Sequence, residues 1–188
     1  MGDIIQKIVL SALALSLVTG CGTTSQNSPA SGKGAAPSGG KFADAGKYSL
    51  SVLMDPGLEG LPANEANSRK QISDWMGGDA VRVFAGRGGY KTQLITSKDK
   101  FTAGPDTLLL TVKIVKYNPG SKAARMIVGF GAGSCSLDIH YELHGAGKDP
   151  ILSADDGVGS SVEWNRLARK LNENMLRAVN AKLASAAK

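Results

Sequence analysis

The chain has 188 residues, with 22 lysines and arginines against 16 aspartates and glutamates, a formal charge of +6 at pH 7. Hydrophobic residues at 42% and charged residues at 20% make a globular composition, and aromatics at 5% leave the core mostly aliphatic. The basic balance suits anionic lipid headgroups, lipopolysaccharide or acidic partners; without aromatic residues interleaved among the cations it argues against nucleic-acid binding.

Lys7 precedes an apolar run from Ile8 to Val18 that closes on Val18-Thr19-Gly20-Cys21. A membrane-spanning helix needs about 20 apolar residues, so this shorter run reads as the core of a signal peptide over residues 1–20. A cysteine directly after small residues resembles the lipobox of bacterial lipoproteins. That resemblance implies cleavage before Cys21, a diacylglycerol on its sulfur and, usually, a further acyl chain on the new amine. Each buried methylene contributes about 0.8 kcal/mol, so several chains together form a durable membrane anchor. Residue 22 is glycine, not the aspartate that resembles an inner-membrane retention signal, so the expected location is the periplasmic face of the outer membrane. Asp3 is a departure from the usual basic leader; loss of residues 1–20 removes it together with Lys7 and leaves the net charge unchanged.

Residues 22–40, GTTSQNSPASGKGAAPSGG, hold no aromatic or branched aliphatic side chain. They cannot bury enough apolar surface to offset the entropy of ordering, which predicts a flexible tether reaching on the order of 25 Å. Residues 41–188 then suffice for one domain with one core.

Within that domain, Tyr48, Leu50, Val52 and Met54 alternate with serines, the period of a half-buried strand ended by Asp55-Pro56-Gly57. Residues 62–76 read as a short helix, with Pro62 at its start and Gly77-Gly78 as its stop. Residues 79–86 and 90–97 read as two further strands. Residues 107–117 carry the longest strand signal, and Asn118-Pro119-Gly120 ends it as a turn. Cys135, Leu137, Ile139, Tyr141 and Leu143 alternate with Ser136, Asp138, His140 and Glu142, the cleanest alternation in the chain. A short strand over 151–154 follows. Trp164, Leu167, Ala168, Leu171, Met175 and Val179 then fall at helical spacing over about 162–183, with Arg166, Arg169, Lys170, Glu173 and Arg177 mainly outside that stripe. The order predicts an α+β domain: a mostly antiparallel sheet, one short N-terminal helix, and one long C-terminal helix packed on the sheet.

Gly129, Gly131 and Gly133 form GxGxG before a strand, neither the dinucleotide fingerprint nor a phosphate loop. They fit a bend or close backbone approach. With Lys122 and Arg125 ahead of an uncharged stretch, they also make a candidate interaction loop for lipid or lipopolysaccharide. The segment YNPGSKAARMIVGFGAGSCSLDIHYEL resembles the signature of domain of unknown function 4410, a family of bacterial exported proteins, many of them lipoproteins, without an assigned activity. The match rests on Pro119-Gly120-Ser121, Ala124-Arg125 and Gly129 through Gly133; it is close over 107–143 and diffuse elsewhere. The resemblance implies a family and no mechanism.

Asp138, His140 and Glu142 share one strand face and are weak metal candidates, with Asp155 and Asp156 as the nearest acids on a second element; the opposing expectation is a solvated polar face and no cofactor. Cys135, in step with Leu137 and Ile139, is expected to be buried. Two histidines and no strained serine elbow give no catalytic triad. The function expected from these features is a non-enzymatic, membrane-anchored envelope lipoprotein, a binding or accessory module of an envelope assembly or transport complex, with lipid or lipopolysaccharide binding through the Lys122/Arg125 glycine loop, or a metal-dependent envelope enzyme, as the contrasting readings.

Overall fold

The structure, a computed structural model, describes residues 42–120, 134–160 and 163–187. Among the described residues, five strands and two α-helices build an α+β domain: β1 (Ser49–Asp55), α1 (Ala63–Val83), β2 (Lys91–Ile95), β3 (Thr107–Asn118), β4 (Cys135–His144), β5 (Leu152–Ser160) and α2 (Trp164–Ala186). The sheet order is β2-β1-β3-β4-β5. β1 pairs parallel with both β2 and β3, whereas β3–β4 and β4–β5 are antiparallel, so the sheet is mixed and not mostly antiparallel.

The parallel half follows from a correction to the elements. Residues 79–86 are not a strand, and Gly77-Gly78 do not stop the helix: α1 runs through them to Val83 and closes in a π-helical turn, Phe84–Gly88. The buried side chains Ile72, Met76, Ala80, Val83 and Phe84 are spaced by four, four, three and one, a continuous helical stripe that reads locally as alternation only over its last residues. Once that strand becomes helix, β1-α1-β2 is a crossover unit, which joins parallel strands. The actual stop is Gly89, at φ +85°, where left-handed backbone ends the helix. The last strand is likewise longer than residues 151–154, and runs to Ser160.

Packing explains why α1 tolerates two glycines. A Cβ on Gly77 would lie 2.8 Å from Met54 Cγ and 2.9 Å from Leu94 Cδ1, so glycine lets the helix sit close on β1 and β2. At Gly78 a Cβ would meet nothing within 4 Å. Gly78→Ala is therefore expected to stabilise the fold by about 0.5 to 1 kcal/mol through helix propensity and the unfolded chain. A urea midpoint that fails to rise would contradict this.

Both helices cover one face of the sheet, α1 over β1 and β2, α2 over β4 and β5. Leu50 and Val52, Leu108 to Ile114 in alternation, and Leu137, Ile139, Tyr141 and Leu143 meet them. Among the described residues, the buried core runs from Ala45 to Leu183, and residues 37–188 form one compact unit. Cys135 is buried at the start of β4. Burial, with that thiol alongside, pushes the Tyr117 phenol up to about 12.

Two polar devices hold the layers together. Asp79 of α1 is fully buried; Arg169 Nε donates to its Oδ2 at 2.9 Å, and Asn172 Nδ2 donates to that oxygen at 3.0 Å and to the Met76 carbonyl at 3.1 Å. Trp75 and Trp164 meet edge to face at 5.6 Å beside this clasp. At the other end, Arg69 Nη1 donates to the carbonyls of Gly57 at 3.1 Å, Ile114 at 3.3 Å and Val115 at 3.1 Å. β3 shifts register against β4 between Ile114 and Lys116, and such a bulge leaves carbonyls unpaired in the ladder for a side chain to take. On the outer strand β5, Asp156 accepts from Asn174 Nδ2 of α2 at 2.8 Å.

Candidate functional site

The sheet face turned away from the helices carries the titratable cluster. Strand alternation puts Leu137, Ile139, Tyr141 and Leu143 under the helices, and so turns Asp138, His140, Glu142 and His144 outward. Register sets their neighbours: His140 lies between Lys113 of β3 and Asp155 of β5, Glu142 between Thr111 and Ser153, and Asp138 between Lys116 and Gly157.

The result is a chain of alternating imidazoles and carboxylates. His140 Nδ1 lies 2.8 Å from Asp155 Oδ1, and His140 Nε2 lies 3.6 Å from Glu142 Oε1 and 3.5 Å from Ser153 Oγ. Glu142 Oε2 continues the chain to His144 Nε2 at 3.0 Å. β4 extends through His144, which pairs with Leu109, so this histidine belongs to the strand and not to a following turn. Lys113 stands on the same face, 3.4 Å from Asp55 and 3.6 Å from Glu59. Beside the cluster a hollow of about 280 Å³, broadly open to solvent, is lined by Val115, Asp138, Asp155, Asp156 and Gly157. At Gly157 a Cβ would lie 2.5 Å from Asp138 Oδ1, so glycine lets that carboxylate lie close over β5.

The hydrogen bond to Asp155 chiefly raises the His140 pKa above the ordinary imidazole value, with Glu142 adding to it and partial burial opposing. A raised folded pKa stabilises the fold fully below the unfolded value of about 6.5, and that stabilisation is lost as pH rises through the folded pKa. The ring is more than a third exposed, so solvent screening limits the effect to under about 1 kcal/mol. Wild type should therefore have a lower urea midpoint at pH 8.5 than at pH 6, while His140→Gln shows a smaller fall. Equal falls in the two proteins would refute the assignment.

Among the described residues, no three of His, Cys, Asp and Glu converge to hold a metal ion. Geometry gives the reason. Residues two apart on a strand are about 6.6 Å apart along it, so Asp138 and Glu142 are spread over about 13 Å and their side chains project in parallel. Asp155 does come to His140 from the neighbouring strand. Asp156, by contrast, is occupied with Asn174 and with the Gly157 N–H at 2.8 Å. Cys21 and the interaction loop Lys122, Arg125, Gly129, Gly131 and Gly133 lie outside the described residues.

Lys113 and Ser153 join the cluster only through cross-strand register, a pairing that no local pattern in the sequence reports. The surface can hold a proton at His140 and present a row of alternating donors and acceptors to a polar partner.

No helix among the described residues is long and apolar enough to cross a membrane. Among solved structures, the chain is similar to the PelC dodecamer from Paraburkholderia phytofirmans, at 10% identity and a TM-score of 0.44, covering 76% of this chain and 90% of that one. It is also similar to a crystal structure titled an uncharacterized protein, at 11% identity and a TM-score of 0.37, covering 76% of this chain and 93% of that one. No curated protein matches the chain. The family model described as Domain of unknown function (DUF4410) matches residues 91–187, from the start of β2 through the end of α2, and the chain belongs to that family.

Proposed function

We propose that this protein is a cell-envelope lipoprotein, anchored by its N-terminal lipid at the periplasmic face of the outer membrane, where it serves as a non-enzymatic binding or accessory module of an assembly or transport complex. The observation that carries the reading is the apolar run closing on Val18-Thr19-Gly20-Cys21, with Gly22 and a Gly, Ser, Ala and Pro-rich stretch behind it. The run is too short to span a bilayer and ends at a residue whose sulfur can be acylated. Its extended polar sheet face, with His140, Glu142, His144 and Asp155 in one row, suits a protein partner more than the enclosed apolar pocket in which small ligands are held.

Mass spectrometry of the chain taken from membranes of the native host tests the anchor. The expected product begins at Cys21 and carries diacylglycerol and acyl mass, and Cys21→Ala leaves the chain unacylated and uncut. Recovery of a wild-type chain with unmodified Cys21 would sink the reading. Crosslinking in cells followed by affinity purification tests the partner, and a specific envelope protein lost on Glu142→Lys is the expected result.

A further inference from the structure

The outer face of the helix layer carries an excess of cations. On α2, positions 166, 169, 170, 173 and 177 fall within about 100° of arc, so Arg166, Arg169, Lys170 and Arg177 form one exposed stripe broken only by Glu173. α1 and its closing turn add two more cations to the same surface. Arg82 Nη2 lies 3.6 Å from Asp79, the carboxylate that Arg169 also binds, and Arg87 Nη1 lies 2.5 Å from Glu173. Asp79 and Glu173 are thus shared among Arg82, Arg87 and Arg169, with Asp79 fully buried, while the exposed Asp74 on the same row of α1 is paired with Lys70. Among the described residues, none of the ion pairs takes Arg166, Lys170 or Arg177. The opposite face is mixed in sign: Asp138, Glu142 and Asp155 stand there with Lys116 beside Asp138, and Asp55 and Glu59 hold Lys113.

We propose that the outer face of the helix layer, through Arg82, Arg87, Arg166, Arg169, Lys170 and Arg177, is a docking surface for a bilayer carrying anionic phospholipid. The cations of α2 extend over twelve residues, from Arg166 to Arg177, a rise of about 16 Å, on the outward side of two packed helices. A flat sheet of phosphates can meet all of them at once, whereas a compact anion would reach two or three. Long arginine and lysine stems let the charges adapt to a fluid surface. The cation excess on the helix layer also orients the domain: helices toward the lipid, His140 and its carboxylate neighbours away from it, open to a partner. The envelope reading supplies only the presence of a lipid surface; docking is measured on a chain without Cys21, so its failure leaves the lipidation reading standing.

The test is co-sedimentation of residues 41–188 with vesicles of phosphatidylcholine alone or with 30% phosphatidylglycerol, in about 0.1 M and 0.5 M salt. Binding is expected on the anionic vesicles only, weakened at least about tenfold by the higher salt as screening shortens the Debye length. Each cation near an anionic surface contributes about a fivefold factor, so Arg166→Gln, Lys170→Gln and Arg177→Gln together should weaken binding by at least about tenfold. Lys91→Gln, Lys98→Gln and Lys116→Gln together, the same change in net charge away from the helix layer, should leave it within about twofold. Equal weakening by the two triples would mean that only net charge acts and would overturn the proposal, as would equal binding to both vesicle types or none to either. A thermal melt by circular dichroism checks folding, and the exposed Lys170→Gln alone, expected at about fivefold, keeps the result decisive if the triple does not fold.

Discussion

Arg169→Met is expected to lower stability by about 3 kcal/mol, the cost of taking its two-point, closest ionic partner from a buried carboxylate. Asp79 has no exposed side-chain surface, and after the substitution it keeps only the Asn172 amide at 3.0 Å and Arg82 at 3.6 Å. Methionine retains most of the arginine stem, so the loss reports charge and hydrogen bonding more than packing. The reverse substitution should be milder. Without Asp79, Arg169 is already 45% exposed and can turn into water, and Asn172 keeps its bond to the Met76 carbonyl. Asp79→Ala is therefore expected at about 1 to 2 kcal/mol, and combining both substitutions should recover part of the loss seen in Arg169→Met. Urea titration of the four proteins reads the whole cycle. A larger loss in Asp79→Ala than in Arg169→Met would show that the buried carboxylate is not the sensitive member.

Gly57→Ala should be comparably damaging, at about 3 kcal/mol. Gly57 has φ +61°, and a Cβ there would lie 2.2 Å from the Ile114 carbonyl oxygen. That obstacle is backbone in a central strand, so relief requires moving either the turn after β1 or the bulged segment of β3. Either movement also pulls on Arg69, which binds the carbonyls of Gly57, Ile114 and Val115 together. Gly60 provides the contrast: φ is +71° with nothing within 4 Å of an added Cβ. Gly60→Ala carries only the conformational cost of left-handed backbone, about 1 kcal/mol. Matched thermal melts of the two variants separate collision from dihedral strain, and similar losses would assign both to the dihedral.

The alternation of β4 was readable because each odd residue there is apolar and each even one polar, and burial follows that pattern through all ten residues. Residues 107–117 were equally readable as strand, since Leu108, Leu110, Val112 and Ile114 repeat at the right interval. α2 was readable for the same reason at helical period. What misled was the end of α1. Val81, Val83 and Phe84 carry β-favouring side chains next to two glycines, and local preference there opposes a helix that tertiary packing nonetheless extends. The parallel pairing of β1 was lost with it. In the candidate site, the outward row on β4 followed from alternation alone, but its closure by Asp155 and the standing of Lys113 depend on register between strands. Arg69, Asp79 and Asn172 left no signal either. Each is a polar residue on a helix, and its importance arises from a partner some 45 to 96 positions away.

Asp156 has a consequence for how copies of this protein behave together. β5 is the last strand of the sheet, and an outermost strand offers its backbone to any extended chain that approaches. A flat apolar strand in that position is an invitation to stacking and amyloid-like growth. Here the helix-side residue in the middle of β5 is an aspartate, satisfied by Asn174 within its own molecule. A further strand laid alongside would have to pack next to that carboxylate, so the hydrogen bond that fixes α2 on the sheet also guards the edge against fibrillation at high local concentration.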